Sequence, residues 1–490
     1  MKKLKFLVVF ILGLSFLGAA TLKAWALEED KSIVYKFWKK ALPFDSRLDL
    51  GGFVKNETSV HLAGGLDEFM KMQTIMGLKT NYKITDNLEL FTYYRWFWDT
   101  VYSIEENRYK DVSFEDVNRN LRMPDELQWL RECYFDIYTD RLDIRAGKQQ
   151  VVWGTADGVR ILDMVNPLDY REWTLKEYSE TRMPLWMLNV EGELLMDGHL
   201  QFLVIPDYEA NYYAPAGAPF TLRAVDLGAQ SGSNPAYTTK TIDQRPSRQL
   251  NNSKIGLRWQ NIIGGWDYTL NYLHTYDFAS SAYTLFQRGS PSVLTVMRRS
   301  EQIDVYGASF SKTLTEGFLM DLLKGWTLRG EFAYVKDGAM NYGFDKTIVG
   351  TVDVDQYNYC LGFDKNFWTN WLFSYQFIQF IAHNTEDIPR VTTHPRYSLL
   401  FGPTRGSLDK VTTMMTLKLS TDFMHERLKP EILILYGFDN DWRISPKVSF
   451  EINDEWTVAG GLHIFEGPEQ GLNGQFDKND QLFVETTYNW

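Results

Sequence analysis

A two-residue rhythm that recurs along the chain limits its fold more than any other feature. In Trp266–Tyr272, Trp266, Tyr268, Leu270 and Tyr272 face one way and Asp267, Thr269 and Asn271 the other. Trp326–Tyr334 repeats the pattern, with Trp326, Leu328, Gly330, Phe332 and Tyr334 opposite Thr327, Arg329, Glu331 and Ala333. So does Trp371–Phe377, where Trp371, Phe373, Tyr375 and Phe377 oppose Leu372, Ser374 and Gln376. Side chains alternate across a strand, so each stretch reads as a β-strand with one apolar and one polar face. A soluble sandwich gives the same alternation, and the connections must decide between the two.

Candidate strands lie near 47–60, 70–83, 86–99, 126–139, 141–152, 184–196, 198–207, 252–262 and 265–277. Others lie near 300–314, 324–337, 352–365, 370–383, 411–423, 428–437, 442–452, 455–466 and 480–490. The count is about eighteen, with sixteen also compatible. Short links fall near Asp86 and Asp140, at Met196–Gly198, Asn261–Gly265 and Asn453–Glu455, and in "NFWTN". Long ones alternate with them at 100–125, 153–183, 208–251, 278–299, 338–351 and 384–410. Short turns at one end and long loops at the other mark a transmembrane antiparallel outer-membrane β-barrel, with short periplasmic turns and long extracellular loops. The links 315–323 and 438–441 fit this alternation poorly.

Composition agrees. Mean hydropathy is −0.31, yet aromatics make up 15% of residues and there are 16 Trp. A polar average with heavy aromatic loading suits a barrel whose strands alternate and whose interfaces carry aromatic girdles. Past the N-terminus no apolar run reaches the roughly 18 residues that a membrane helix needs. The longest, Trp371–Ala382, contains Ser and Gln. In hydrocarbon every backbone amide needs a partner, so a membrane chain without helical spans must close its sheet. Eighteen strands leave an aqueous lumen unless loops fill it.

Residues 1–26 read as a cleavable signal peptide: Lys2, Lys3 and Lys5, an apolar run from Phe6, then Ala24-Trp25-Ala26. A retained anchor is the alternative, but the run is short for a span. Residues 27–46 read as an N-terminal periplasmic segment, a plug or a loosely ordered leader, and residues 47–490 as the barrel. Net charge is −12 for the whole chain and falls further once the four lysines of the signal peptide are removed. That excludes nucleic acid as a partner. Cys133 and Cys360 fall on separate strands and are expected as free thiols, and no CxxCH is present. The chain ends "QLFVETTYNW", with Leu482, Val484, Thr486, Tyr488 and Trp490 on one face. This resembles the terminal signal read by the barrel assembly machinery of Gram-negative bacteria.

Tests for chemistry are negative. There is no GxSxG, HExxH, Walker loop or Rossmann fingerprint in context. The seven histidines keep no metal-ligand spacing. His274 near Ser280 and Ser281 is the one candidate pairing for hydrolysis, with no orienting group in view. The acidic stretches 105–119 and 476–481 offer oxygen ligands for Ca²⁺ but read better as solvated outer loops. No enzyme activity, cofactor, catalytic residue or metal site is expected.

Gly147–Trp173, "GKQQVVWGTADGVRILDMVNPLDYREW", stands apart. Its strand phase puts Asp143 and Arg145 inward and leaves Lys148 outward, a cost in lipid that a bulge at Gly147 or the membrane interface would relieve. Trp153 is a candidate girdle residue. Val159, Ile161, Leu162, Met164 and Val165 are too apolar for a solvated loop, so the segment is expected to pack against or inside the barrel mouth.

Gly147, Lys148, Gln149, Trp153, Gly154, Asn166, Pro167 and Asp169, followed by a strand led by Pro184, resemble the signature of a proteobacterial outer-membrane family of unknown function. The resemblance covers about 140–200, and a more distant one is to alginate-export-type, porin-like barrels. It implies an outer-membrane protein that works beside a periplasmic or envelope export or lipid-trafficking partner, in contact with outer-membrane lipid and lipopolysaccharide.

The reading that follows is a porin-like channel in the outer membrane, passing a solute through a loop-constricted lumen. Arg160, Asp163, Asp169, Arg171 and Glu172 are the expected constriction or its rim. Arg95, Asp143, Arg145, Arg258, Arg329 and Glu331 are expected to line the lumen, with both charge signs present. Two alternatives stand beside it. A sheath would house a partner multihaem cytochrome. An export or lipid-transfer component would show an apolar lumen patch, looked for at Leu372, Ile378 and Phe465.

Overall fold

The computed structural model describes residues 47–62, 68–105, 108–109, 112, 129–193, 198–215, 217–222, 237–244, 246–278, 281–287, 292–315, 323–344, 347–383, 411–469 and 471–490. The signal peptide and the segment 27–46 lie outside them, as does most of the acidic stretch 105–119.

Eighteen strands form one sheet in chain order. The first six are β1 (Leu48–His61), β2 (Phe69–Thr85), β3 (Leu88–Asp99), β4 (Leu130–Tyr138), β5 (Leu142–Gln149) and β6 (Leu185–Glu193). Next come β7 (His199–Ile205), β8 (Lys254–Ile263), β9 (Trp266–Tyr276), β10 (Gln302–Thr313), β11 (Trp326–Phe344) and β12 (Thr347–Phe367). The last are β13 (Trp371–His383), β14 (Val411–Ser420), β15 (Leu428–Gly437), β16 (Asp441–Glu451), β17 (Trp456–Glu466) and β18 (Gln481–Asn489). Each pairs antiparallel with its chain neighbours, and β18 closes on β1 from Phe53↔Asn489 to His61↔Gln481. The backbone of Trp490 exchanges hydrogen bonds of 3.0 and 3.3 Å with Gly52 across this seam. A closed sheet has no open edge, so its strand amides pair with neighbours within the wall.

The two faces are inverted relative to a soluble protein. Trp98, Phe135, Leu188, Phe202, Leu257, Leu270, Phe332 and Leu361 are exposed on the outside. Gln73, Thr269, Ser309, Glu331, Ser374, Gln376 and Thr416 are buried on the inside. An apolar outer band around a polar interior is the arrangement of a membrane-spanning barrel. Leu270, 56% exposed at the middle of β9, measures it. Leu270→Arg is expected to cost about 2–4 kcal/mol of folding free energy in lipid vesicles, read by urea titration.

Three expectations change. The link 338–351 is not a loop: β11 and β12 continue as a ladder to Phe344↔Thr347, with register shifts at Val335/Gly338 and Tyr342/Gly343. The long connections 208–251 and 278–299 contribute strands Tyr237–Gln244, Ser281–Gln287 and Ser292–Arg299 to a small separate sheet. The tight link after β15 is compensated by the next long loop, which folds over it. There the Asp441 carboxylate accepts the backbone N–H groups of Asn473 (2.9 Å) and Gly474 (2.6 Å). Within 476–481, Phe476 is buried and Asp480 accepts the N–H of Phe465 at 2.7 Å, while Asp477 and Lys478 are exposed, so the stretch is solvated only in part. Cys133 and Cys360 are free thiols.

Candidate functional site: the loop that crosses the lumen

The segment between β5 and β6 leaves the wall and enters the barrel. Its base is built from the signature residues. Gly147 has φ +142°, and a side chain there would collide with the Cys133 carbonyl. Only glycine accepts that backbone, so Gly147→Ala is expected to cost upward of about 1 kcal/mol, visible as lost heat-resistant folded protein on a gel. The ladder passes through Gly147 without the expected bulge. Lys148 is relieved differently. It lies in register with outward Trp186, but its ammonium folds back to the Leu130 carbonyl at 2.7 Å and is buried. Gln149, fully buried, donates to the Met187 carbonyl at 3.2 Å.

Asn166 is the clasp. Its Oδ1 accepts the Val151 N–H at 2.8 Å, and its Nδ2 donates to the carbonyls of Gln149 (3.4 Å) and Met183 (3.0 Å). The Pro167 carbonyl accepts the Met183 N–H at 2.8 Å. These contacts draw the two ends of the segment together, so the chain between them must project. Trp153 projects with it, and is not a girdle residue. It is buried in the lumen, where its indole N–H donates to Gln201 at 2.6 Å, because β5 ends at Gln149 and the chain turns inward before it.

The first half of the loop is seated on the wall formed by β11–β13. Glu331 accepts the backbone N–H groups of Thr155, Ala156 (2.7 Å) and Leu162 (3.2 Å). Gly154, at φ +101°, passes so close that a Cβ would lie 2.9 Å from the Glu331 carboxylate. Arg329 binds the Asp157 carboxylate at 2.6 Å and the Thr155 carbonyl. Gln376 exchanges two hydrogen bonds of 2.8 Å with the Asp157 backbone. Behind these polar contacts, Ile161, Leu162 and Val165 pack with wall residues Leu203, Leu273, Ile303, Val335, Ile378 and Phe380 in one buried cluster.

The second half is seated on β1–β3 by charge. Glu57, 1% exposed, meets Lys55 at 2.6 Å, Lys71 at 2.9 Å and Lys176 at 3.4 Å. Glu172 meets Lys71 at 2.6 Å and Lys176 at 2.7 Å, and Glu180 meets Lys55 at 3.3 Å. Arg131 holds the short turn at 178–181 by donating to the carbonyls of Ser179, Glu180 and Arg182 at 2.9–3.0 Å. Trp173 packs on Phe476 beneath the segment 205–222, in a cluster with Phe220 and Phe465.

Burial alone would raise the pKa of Glu172, but Lys176 and Lys71 outweigh it and hold the carboxyl below its ordinary value. For Asp169, burial is likewise outweighed, by Arg171, and the carboxyl is again held low. A group with a depressed folded pKa contributes stability that is complete above its unfolded pKa, near 4, and is lost as pH falls through the lower folded value. The attachment is therefore expected to hold from pH 8 to about 4 and to fail only in stronger acid. Single-channel current recorded across that range checks it.

The five expected constriction residues divide. Asp169, Arg171 and Glu172 line a cavity of about 50 Å³ with Arg95 and Lys176. Arg171 pairs with Asp169 and stacks on Phe97 (4.6 Å) and Tyr212 (4.9 Å). Arg160 and Asp163 are turned into the body of the loop, Arg160 onto the Asn166 carbonyl (2.9 Å) and Asp163 onto Arg182 (2.7 Å). Of the six expected lining residues, Arg329 and Glu331 hold the loop as described. Arg95 donates to the Glu180 carbonyl, Arg145 pairs with Asp136 at 2.6 Å, and Arg258 reaches the Val152 carbonyl. Asp143 sits near the short-turn end, in register with Glu191. Sequence reasoning missed Lys55, Glu57, Lys71, Lys176 and Gln376. The signal was present in Lys55 and Glu57, two residues apart and so on one face of β1.

His274 pairs with Asp304 at 2.8 Å. Among the described residues no group of three potential metal ligands occurs.

No curated protein matches the chain. Among solved structures it is similar to OccAB4 of Acinetobacter baumannii at 10% identity, covering 91% of this chain and 99% of that one, with a TM-score of 0.48. It is similar to a BenF-like porin of Pseudomonas fluorescens at 8% identity, covering 91% and 97%, with a TM-score of 0.46. It is similar also to OmpF of Salmonella typhi, solved in complex with daunomycin, at 10% identity, covering 90% and 97%, with a TM-score of 0.42. A family match runs over residues 72–490, far beyond the signature segment, and by it the chain belongs to the family described as Protein of unknown function (DUF1302).

Proposed function

We propose that this protein is an outer-membrane channel that admits small polar solutes past a fixed internal loop. The observation that carries the reading is the loop 153–183, fastened to two separated parts of the wall inside a closed eighteen-stranded barrel. Polar recesses of about 270 and 290 Å³ lie along the wall lumen-side of it, one beside Arg145 and Arg258 and one beside Lys55 and Lys447. Mixed charge on both recesses favours water and polar cargo over one ion sign. The signal peptide, lipopolysaccharide contact, assembly by the barrel machinery and an envelope partner belong to the same proposal, with the long-loop end outside the cell.

The sheath reading is less favoured, because the chain's own loops take up the lumen that a cytochrome would need. The lipid-transfer reading meets Ile378 and Phe465 inside the two apolar clusters, but both are covered by loop residues. The closing measurement is planar-bilayer conductance with purified protein. Discrete steps with weak ion selectivity are expected. A silent bilayer from wild type and from a loop-deleted variant alike would overturn the channel.

A further inference from the structure

The recess lined by β5–β8 holds two opposite charges that do not pair with each other. Among the described residues, Glu191 accepts from two neutral donors, Asn189 Nδ2 at 2.9 Å and Gln201 Nε2 at 2.8 Å. Among the described residues, Arg258 donates to two neutral acceptors, the Val152 carbonyl at 3.3 Å and Gln260 Oε1 at 3.1 Å. Gln201 stands between them, in register with Glu191 on one side and Arg258 on the other. The two backbones are therefore two strand spacings apart, roughly 10 Å. Two further atoms are unsatisfied: Asn189 Oδ1, on a side chain 93% buried, and Arg258 Nε. Arg145 also lines the recess, but it is spent on Asp136.

The carboxylates of Asp267, Glu191 and Glu331 act on Arg258 through space without a direct ion pair, and a charge hydrogen-bonded to neutral partners in a partly buried wall keeps part of its field. An acceptor and a donor charge held apart by a rigid amide present a dipole of fixed direction. We propose that this recess is a binding subsite for a small zwitterionic solute, with its carboxylate toward Arg258 and its ammonium toward Glu191. The volume, about 270 Å³, lies below the ~300–1,000 Å³ of drug-sized pockets, which suits a small amino acid. Gln201 also holds Trp153 at the loop's base, so the subsite lies where the loop meets the wall. This deepens the channel reading and rests on it for the solute's route of access.

The test is calorimetric titration of the folded barrel in detergent micelles, which needs no ion passage. The probes are glycine and 4-aminobutyrate, against acetate and methylammonium. At least one zwitterion is expected to bind at least about tenfold more tightly than either single-charge probe, since each charge-assisted hydrogen bond is worth about that factor. Arg258→Gln and Glu191→Gln should each weaken it by about tenfold, and Arg258→Lys should restore part of the loss. If a variant fails to fold, wild type carries a second reading: rising KCl should weaken zwitterion binding. No heat from either zwitterion, equal binding of acetate or methylammonium, unchanged binding in folded glutamine variants, or salt-independent binding would overturn the subsite. Conductance without binding removes the subsite and keeps the channel; binding without conductance does the reverse.

Discussion

Deleting residues 157–170 is expected to raise single-channel conductance severalfold and to admit larger solutes. The segment carries Ile161, Leu162 and Val165, which fill the lumen against wall residues of β6, β7 and β9–β15. It also carries Asp157, which binds Arg329 and Gln376. Without it, the cross-section it occupies is returned to water. The deletion bares Ile303, Val335, Ile378 and Phe380, so a folded control is needed, and Glu331→Gln supplies one. That change keeps the wall intact but sets an amide N–H₂ against loop N–H donors where a carboxylate now accepts three. Hydrogen bonds to a charged acceptor are worth about 1.5–3 kcal/mol each. The released loop should show as current noise and a raised mean conductance. If the deletion is folded and conducts like wild type, the loop does not set the passage.

Glu57→Gln should be the most destabilising single change at the other attachment. Glu57 is 1% exposed and touches three lysines, two from the wall and one from the loop. Losing it leaves Lys55, Lys71 and Lys176 with only Glu172 and Glu180. Three buried ammonium groups then share two carboxylates, and each charge-assisted hydrogen bond so lost is worth about 1.5–3 kcal/mol. Urea unfolding in micelles should show a loss of that order, and Glu57→Asp a smaller one. Lys429–Glu451 is the contrast: equally short at 2.6 Å, but 46% and 42% exposed. Lys429→Met should change unfolding by no more than the measurement error, as exposed pairs do. Equal losses at both sites would mean that Glu57 is not buried as described.

The strands were legible because the wall imposes a strict period. All eighteen candidate segments overlap a barrel strand, and the phases read in β9, β11 and β13 match the faces found. The inward packing of 153–165 was also legible, since five apolar residues cannot sit in water beside turn residues. What the period could not reveal was the direction of a residue just past a strand end. Trp153 lies four residues beyond β5, where alternation has stopped, and its facing follows from Gly147, Gly154 and the Asn166 clasp. The charge network was hidden for a related reason. Lys55 and Glu57 lie on one strand face, but Lys71 and Lys176 join them only through strand pairing and the return of the loop. Phase along one strand carries no information about which charges meet across the lumen.

The two attachments have a mechanical meaning. A β-barrel wall is one chain thick, and its easiest deformation is from a circle to an oval. The loop is clamped at β11–β13 on one side and at β1–β3 on the other, about ten strands apart in a ring of eighteen. It therefore acts as a tie beam close to a diameter, and ovalisation of the ring must stretch or compress it. Its clamps are directional hydrogen bonds at one end and a many-membered ion lattice at the other, and both resist being pulled apart. A shell so braced is expected to keep its cross-section under lateral membrane pressure.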